Sequence, residues 1–376
     1  MSEAARPLPD ITQTSPRAFF DQHRREVITA MIRVLDSGVY ILGEEVRAFE
    51  KEFARQFGFC DAVGVANGTD AIALALRCLS VEHGSRVATV SLTATATVAA
   101  IEMVGASPVF VDVTPDTYTL DPVSLARTLE TLAAVQAVIV VHLYGHPANV
   151  PAIVRVADQF GVPVIEDCAQ AHGATLNERF VGSMANSATF SFYPTKNLGA
   201  LGDGGMVIAR DLEGNRKLRM LREYGWECRY ISDLPGVNSR LDEIQAAFLR
   251  LRLPYLQAGN QRRAEIAAAY DHGLADSGLL LPIRRPGATH VYHQYVVRHA
   301  YRDQLRTRLK RKGIATNIHY PVPVHRQPAY AGRFDIDPGG LATTDAITQE
   351  ILSLPMYPEL TDGTIARIID AVRTSL

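Results

Sequence analysis

The chain has 376 residues, 47% of them apolar, and its 38 basic and 40 acidic side chains leave a formal net charge of −2. This length allows two domains, or one large domain with a smaller one attached. Because acids and bases nearly balance, the chain lacks the basic surface by which proteins bind nucleic acids or anionic membranes. We therefore predict neither a nucleic-acid partner nor a membrane partner.

The sequence contains no recognisable targeting or membrane-spanning segment. The residues after Arg6 are polar and proline-bearing rather than an apolar signal core. No run of about 18 apolar residues, the length that a membrane helix needs, is present. The cysteines form no CxxC pair and no zinc-binding pattern. They are Cys60, Cys78, Cys168 and Cys228. We expect reduced thiols, no metal site and a cytoplasmic protein.

The first clear element is an amphipathic helix after Gly43. Its apolar residues recur at intervals of three and four, with charges between them. They are Val46, Phe49, Phe53 and Phe57. A short apolar strand, residues 61–66, follows and ends in the turn Asn67–Asp70. The run from Ala71 to Leu79 is apolar on nearly every face, which predicts a buried helix.

The middle of the chain alternates apolar strands with helices. The predicted strands are Arg86–Val90, Ser107–Val113, Ala137–His142 and Pro163–Asp167. The predicted helices between them are Thr97–Val104, Val123–Ala133 and Val150–Phe160. Continuous apolar strands separated by helices predict an α/β fold with a mainly parallel sheet covered on both faces. Ligands of such sheets bind beyond the carboxyl ends of the strands.

The pattern changes after Arg240. Four helices are predicted: Leu241–Leu251, which Pro254 ends, one from Gln261, the charged helix Asp303–Lys312 and a last helix over Asp362–Ser375. Between them we predict a strand over His290–Arg298 and a loop over His319–Pro328. We predict a large domain over residues 1–251 and a smaller α+β domain over residues 252–376.

Three segments contain residue types suited to a phosphate-bearing cofactor. The first is the turn Asn67-Gly68-Thr69-Asp70 ahead of a helix. Backbone N–H groups and the helix dipole favour an anion there, Gly68 lets the backbone approach closely, and Thr69 adds a hydroxyl. The alternative interpretation is a simple helix N-cap, for which Thr and Asp are also suited.

The second segment follows an apolar strand and reads Glu166-Asp167-Cys168-Ala169-Gln170-Ala171-His172-Gly173. An acid in this position is often a helix cap. It can also pair with a buried cation, such as the protonated ring nitrogen of pyridoxal 5'-phosphate (PLP). Gln170, three residues later, would face the same pocket, whereas His172 can equally be structural.

The third segment contains Ser191, Tyr193 and Lys196. A lone lysine is usually a solvated surface group. Lys196, however, follows an apolar strand and a proline turn, and it precedes the glycine-rich stretch from Gly199 to Gly205. We expect a tight, partly buried turn, where burial lowers the pKa of the amine and frees it to attack carbonyl groups. Ser191 could donate to a phosphate.

The order and spacing of these segments resemble the sugar-nucleotide aminotransferases of PLP fold type I, the family that includes the DegT and StrS proteins. The resemblance runs from Ser37–Gly43 to His319–Pro321 and covers nearly the whole chain. It implies a large domain with a mainly parallel sheet between helices, and a smaller α+β domain.

The resemblance also implies the roles of individual residues. Lys196 looks like the lysine that holds PLP as a Schiff base, and it would act as the catalytic acid and base. Asp167 matches the partner of the pyridinium nitrogen, and Gln170 matches the contact to the ring oxygen. The phosphate site would include Gly68, Thr69 and Ser191, and Asp70 is expected to be a further cofactor-binding residue. Asn238 matches a phosphate ligand from the other subunit, which implies a homodimer with shared active sites.

The segment Thr93-Ala94-Thr95-Ala96-Thr97 has Ala94 where many family members have an aromatic residue stacked on the cofactor. This form resembles the subset that aminates dTDP-linked 3-keto-6-deoxyhexoses, with L-glutamate as the expected amino donor. The candidates for contacts to this nucleotide-linked keto sugar are Tyr193, His319, Tyr320 and His325. Packing within their loops is the alternative role of the same four residues.

Three other functions remain open. A PLP-dependent sugar dehydratase of the same fold is disfavoured by Lys196, because the related 3-dehydratases have His at that position. An aminotransferase acting on a keto-cyclitol is a second possibility. The third is a catalytically silent regulatory protein of the same fold, which the intact set of Lys196, Asp167 and Gln170 disfavours.

Overall fold

The computed structural model describes residues 11–132 and 134–376. Its α-helices are α1 (Pro16–Gln22), α2 (Arg24–Ser37), α3 (Glu44–Phe57), α4 (Gly68–Cys78), α5 (Thr95–Met103), α6 (Pro122–Thr131), α7 (Val150–Gln159), α8 (Leu212–Arg222), α9 (Glu243–Arg252), α10 (Leu256–Leu274), α11 (Arg302–Arg311), α12 (Ala342–Glu350) and α13 (Asp362–Arg373). Its strands are β1 (Val63–Val65), β2 (Arg86–Val90), β3 (Ser107–Val111), β4 (Val135–Val141), β5 (Val164–Asp167), β6 (Thr175–Leu176), β7 (Arg179–Phe180), β8 (Ser187–Ser191), β9 (Gly205–Ala209), β10 (Trp226–Cys228), β11 (Ile231–Ser232), β12 (Tyr295–Arg298) and β13 (Ile351–Leu354).

A seven-stranded sheet forms the centre of the molecule, with the strand order β1-β9-β8-β5-β4-β2-β3. The neighbours from β8 to β3 pair in parallel, whereas β9 is antiparallel to both β8 and β1. Six strands therefore point the same way, and their carboxyl ends lie at one edge of the sheet. The predicted mainly parallel α/β architecture is confirmed.

The sheet is buried because its strands are apolar on both faces, as parallel sheets require. All five residues of β9 are buried, and so are the last four of β2. Helix α4 is buried along Ala71–Leu76 and packs on β8 and β9. Helix α3 places Phe49, Phe53 and Phe57 in a second core cluster with Phe190 and Phe192 around β8.

The segments after α9 pack beside this sheet. A short turn, Leu253–Tyr255, joins α9 to the long helix α10. Strands β12 and β13 pair antiparallel, and α10 and α11 both contact α13. The predicted boundary between residues 251 and 252 falls in the last turn of α9, and the division into two domains stays a prediction.

Most predicted elements are present within one or two residues of their predicted bounds. The helix predicted over Val123–Ala133 ends at Thr131, and its last predicted residue lies outside the described part of the chain, as do the first ten residues of the predicted large domain. The strand predicted over His290–Arg298 begins only at Tyr295, because residues 290–293 form a buried irregular segment. Among the described residues, no helix is long and apolar enough to cross a membrane.

Candidate active site

Five segments that follow parallel strands meet at the carboxyl edge of the sheet. They are the turn after β1, residues 91–97 after β2, residues 142–146 after β4, residues 168–173 after β5 and the turn after β8 that contains Lys196. The structure thus brings together Gly68, Asp167, Gln170, Ser191 and Lys196, as the order of the strands in the sheet requires.

The turn after β1 forms the N-terminus of α4. Asn67 caps the helix, and its side chain accepts a hydrogen bond from the backbone N–H of Asp70 at 2.8 Å. Gly68 lies so close to β8 that an added Cβ would be 2.7 Å from the Cβ of Ser191. The cap and the close approach to a serine hydroxyl therefore occur together, and they suit the binding of an anion at the helix N-terminus.

The carboxylate of Asp70 takes part in a contact that the sequence did not predict. It accepts a hydrogen bond from the hydroxyl of Ser239 at 2.7 Å, and that hydroxyl also accepts one from the backbone N–H of Ala66 at 3.1 Å. These contacts tie the N-terminus of α4 to the segment that contains Asn238. Asp70 thus ties the turn at the N-terminus of α4 to Ser239, and its own contact to a cofactor stays a prediction.

Asp167, the last residue of β5, is 5% exposed. Its carboxylate accepts hydrogen bonds from the backbone N–H of Ala169 at 3.1 Å and from the hydroxyl of Thr97 at 3.2 Å. Burial raises the pKa of this carboxyl above its ordinary value, and the Ala169 N–H and the charge of Lys196 offset part of that rise. A buried carboxylate of this kind is stabilised by an additional cation.

Gln170 is held so that its amide group faces Tyr320. Its Oε1 accepts from the backbone N–H of Tyr144 at 2.7 Å, and its Nε2 donates to the Tyr320 hydroxyl at 3.2 Å. The Tyr144 hydroxyl also donates to the backbone carbonyl of His319. Gln170 and Tyr144 thereby join the edge of the sheet to the loop at residues 319–320.

Lys196 lies in a tight turn, and its backbone N–H donates to the carbonyl of Tyr193 at 2.8 Å. The turn is closed by Gly199, where an added Cβ would be 2.4 Å from the carbonyl oxygen of Pro194. Burial lowers the pKa of the Lys196 amine to about 8, although the charge of Asp167 raises it. With this pKa about a tenth of the amine is neutral at pH 7. The neutral form is able to act as a nucleophile or a base.

Three histidines interact electrostatically with Lys196, and burial keeps each of them uncharged. The pKa of His172 is lowered to about 3, that of His319 to about 4, and that of His293 well below its ordinary value. His293 was not singled out from the sequence, because a histidine in an apolar segment gives no indication of its position in the fold. Lys196 is thus surrounded by neutral imidazoles and one carboxylate.

The four candidate substrate residues differ in whether their polar groups are already hydrogen-bonded within the chain. Tyr193 is 53% exposed beside Lys196, and Tyr320 faces Gln170. His319 instead has Nδ1 2.8 Å from the Ser353 hydroxyl and Nε2 3.2 Å from the Asn317 amide. Its two ring nitrogens are therefore engaged within the chain.

His325 is engaged in the same manner. Its Nδ1 lies 2.7 Å from the Ser91 hydroxyl, and its Nε2 lies 3.2 Å from the Asp345 carboxylate. These contacts match the alternative role of loop packing. Contact of His319 and His325 with a substrate stays a prediction, with Tyr193 and Tyr320 the better placed pair.

Asn238 and Ala94 lie at the margin of the site. Asn238 is exposed, and its backbone forms an antiparallel bridge with Glu223. Ala94 precedes the first turn of α5 and is partly exposed. Both residues are therefore accessible to a molecule outside this chain, whether a cofactor, a substrate or a second subunit.

Below the site, Glu166 forms a buried polar network. Its carboxylate accepts from the backbone N–H groups of Gly182, Met184 and Ala185 at 2.8–2.9 Å, and it lies 3.2 Å from Nε2 of His142. His142, Glu166 and Cys168 could place ligand atoms within 4.8 Å of one another. The Glu166 oxygens already accept four hydrogen bonds. We therefore interpret this cluster as a structural network that holds the loop at residues 182–185.

Comparison with known proteins identifies the chain. The sequence pattern of the DegT/DnrJ/EryC1/StrS aminotransferase family matches residues 21–373. The chain belongs to this family. It is 45% identical to dTDP-3-amino-3,4,6-trideoxy-alpha-D-glucose transaminase of Streptomyces venezuelae, over 95% of this chain and 94% of that protein. It is 43% identical to UDP-N-acetyl-3-dehydro-alpha-D-glucosamine 3-aminotransferase of Acidithiobacillus ferrooxidans, over 96% of each chain.

Solved structures agree with this membership. The chain matches the crystal structure of DesV from S. venezuelae with a TM-score of 0.93 and 44% identity, covering 98% of each chain. It also matches NtdA from Bacillus subtilis, solved with the bound cofactor PMP, with a TM-score of 0.89 and 25% identity over 99% of this chain and 86% of that one. The predicted PLP-dependent aminotransferase and its fold are confirmed.

The residues present fit this cofactor. Gly68 at the N-terminus of α4 lies against the Ser191 side chain, so the backbone N–H groups of this turn and the Ser191 hydroxyl are close enough to donate to one phosphate. Asp167 is a buried carboxylate with a raised pKa, which a protonated ring nitrogen would stabilise. Lys196 supplies an amine whose pKa is already lowered to about 8.

Proposed function

We propose that the protein transfers the amino group of L-glutamate to carbon 3 of a dTDP-linked 3-keto-6-deoxyhexose, and that it does so as a homodimer with shared active sites. The broader activity, transamination of a nucleotide-linked keto sugar to an amino sugar, is confirmed by the relatives of this chain. The observation that supports an enzyme rather than a silent relative is the buried pair of Lys196 and Asp167.

The choice of carbon 3 rests on the relatives and on Ala94. The names of the S. venezuelae and Aneurinibacillus thermoaerophilus relatives describe a 3-amino sugar linked to dTDP. That of the A. ferrooxidans relative describes amination at carbon 3 of a UDP-linked sugar. dTDP is favoured over UDP because the Ala94 form of the segment resembles the subset that acts on dTDP-linked sugars.

Each proposed role of a side chain follows from its position. When bound, PLP supplies an electron-accepting ring that stabilises negative charge on the carbon that loses its proton. Asp167 would hold the ring nitrogen protonated, Gln170 would contact the ring oxygen through Nε2, and Ser191 with the N-terminus of α4 would hold the phosphate. The Lys196 amine, once neutral and free, would accept a proton at Nζ and return it as general acid and base.

A second copy of the chain is proposed to cover the exposed apolar face of α2. Ile28, Ile32 and Leu35 form a stripe on the solvent side of this helix, opposite the face that packs on α9. The stripe continues into the exposed residues 39–41. An apolar surface of this kind is characteristic of a protein–protein interface. Asn238 is exposed and would reach the partner's phosphate site from such an interface.

The substrate can be tested with the reverse reaction, from an amino sugar and 2-oxoglutarate. The panel contains 3-amino and 4-amino sugars linked to dTDP or UDP, together with an amino-cyclitol. We expect the dTDP-linked 3-amino sugar to give a kcat/KM at least about tenfold higher than any other member. A preference for the UDP-linked 3-amino sugar, for a 4-amino sugar or for the cyclitol would contradict the proposed substrate.

A further inference from the structure

Two asparagine side chains join three segments of the chain beside Lys196. Asn197, the next residue after Lys196, donates from Nδ2 to Oδ1 of Asn260 at 2.8 Å and to the carbonyl of Val291 at 2.9 Å. Asn260, on α10, donates from its own Nδ2 to the carbonyl of His172 at 2.8 Å. Asn197 is 9% exposed, so these hydrogen bonds are shielded from competing water.

All three joined segments border the amine of Lys196. The lysine turn contains Asn197, the turn after β5 contains His172, and Val291 lies two residues before His293. His172 and His293 both interact electrostatically with Lys196. A further link continues to the loop after β4, because the N–H of Val291 donates to the carbonyl of Gly145 at 3.0 Å.

We propose that Asn197 and Asn260 are positioning residues for Lys196, whose turn they hold against helix α10. This inference rests on the proposed role of Lys196 but not on the identity of the sugar. Asn260 lies in the predicted smaller domain, whereas Asn197 lies in the predicted large one. Through this pair, the burial of the Lys196 amine would depend on the position of α10.

The consequence for the amine follows from the groups that face it. Burial is the main cause of the lowered pKa of Lys196, and Asp167 opposes it. The other facing groups, His172, His293 and His319, are uncharged near neutral pH because burial lowers the pKa of each. Loosening the turn would admit water without changing these charges, so the pKa of Lys196 would rise toward its ordinary value of 10.5.

The test measures the titration of Lys196 in the full-length apoprotein. Trace acetic anhydride is added between about pH 6 and pH 11, and acetylation of the Lys196 peptide relative to that of exposed Lys51 is quantified by mass spectrometry. The midpoint expected for the unaltered protein is about 8. In Asn260→Ala it should rise by at least about one unit, which lowers acetylation of Lys196 at pH 7 about tenfold. Gln261→Ala, an exposed neighbour on α10, is the matched control and should leave the midpoint unchanged.

The shared contact is tested by combining substitutions. Asn197→Ala should also raise the midpoint, and the double variant should shift it by less than the sum of the two single shifts, because both substitutions remove the Asn197–Asn260 hydrogen bond. Asn260→Ser, which removes the same two bonds, replaces Asn260→Ala if that protein melts early. An unshifted midpoint in a folded Asn260 variant, or additive shifts in the double variant, would overturn the proposal. If instead the proposed role of Lys196 were wrong, Lys196→Ala would retain full turnover, which is a different result from an unshifted midpoint.

Discussion

The amine of Lys196 and the carboxylate of Asp167 lie in one site where burial disfavours the charge of each. Burial lowers the pKa of Lys196 to about 8 and raises that of Asp167, while each charge partly offsets the shift of the other. A cation that binds at Asp167 would compete with the lysine for this carboxylate. The site therefore suits a cofactor that brings a protonated ring nitrogen to Asp167 and leaves the lysine amine neutral.

Asp167→Asn should weaken catalysis far more than cofactor binding. An amide cannot hold the ring proton, whereas the proposed phosphate contacts at α4 and Ser191 would remain. We expect the glutamate half-reaction to slow by at least about 100-fold and the PLP dissociation constant to rise by less than about tenfold. Stopped-flow absorbance and equilibrium titration measure the two quantities. Asp158→Asn, an exposed acid on α7, is the control. An unchanged half-reaction rate in Asp167→Asn would refute the pyridinium role.

Gly68→Ala should weaken binding of the cofactor phosphate. The added Cβ would be 2.7 Å from the Cβ of Ser191, so one of the two elements must move. We expect the PLP dissociation constant to rise about tenfold, or about 1.4 kcal/mol. Gly363→Ala is the matched control, because an added Cβ there meets nothing within 4 Å at the start of another helix. Equal effects of the two substitutions would mean that Gly68 has no special place at the phosphate.

Recombination of the apoprotein with PLP should depend on pH through Lys196. Only the neutral amine attacks the cofactor, and the fraction of neutral amine falls about tenfold for each pH unit below the pKa. With a pKa of about 8, the rate constant should rise with pH and level off above about pH 8. Visible absorbance after rapid mixing measures it. A rate that keeps rising to the ordinary lysine value of 10.5 would contradict the buried environment of the amine.

Mixing two inactive variants tests the shared active sites. If Asn238 reaches the partner's phosphate, a dimer of one Lys196→Ala chain and one Asn238→Asp chain has both lesions in one site and an intact second site. Refolding the two in equal amounts should then restore about a quarter of the wild-type activity. A mixture of Lys196→Ala with Asp167→Asn is the control, and it should stay inactive. No recovery with Asn238→Asp, itself inactive, would place Asn238 within its own subunit.

The sequence predicted the elements whose patterns are local. The apolar runs of β2 to β5 and the phenylalanine spacing of α3 are typical of buried strands and of an amphipathic helix, and both are present. The antiparallel insertion of β9 between β1 and β8 could not be predicted, because strand order depends on pairings between distant residues. Helix α2 was missed because its apolar residues are not confined to one narrow face: Val27, Ala30 and Val34 are buried, whereas Ile28, Ile32 and Leu35 are exposed.

The same distinction applies to the site. Asp167 ends β5, and Gln170 and Lys196 follow the ends of β5 and β8, so their approach to one another is expected in a parallel sheet. Their roles stay predictions, as do those of Gly68, Thr69, Asp70, Ser191 and Asn238. Asn260, which contacts Asn197, and His293 were missed because they approach the lysine turn from a helix and an irregular segment far along the chain. The hydrogen bonds of the His319 and His325 rings could not be predicted either, because most of their partners are distant in sequence. Those partners are Ser353 and Asn317 for His319, and Ser91 and Asp345 for His325.

The central claim, that Lys196 is the lysine that holds the cofactor, is tested most directly by chemical trapping. The holoenzyme is treated with borohydride, which fixes a carbonyl cofactor on the lysine that binds it, and the digested peptides are analysed by mass spectrometry. The pyridoxyl group should be found on Lys196, and Lys196→Ala should retain its fold, gain no label on any other lysine and lose turnover by at least about 1,000-fold. A label on another lysine, or turnover by Lys196→Ala within about tenfold of the unaltered enzyme, would contradict the assignment.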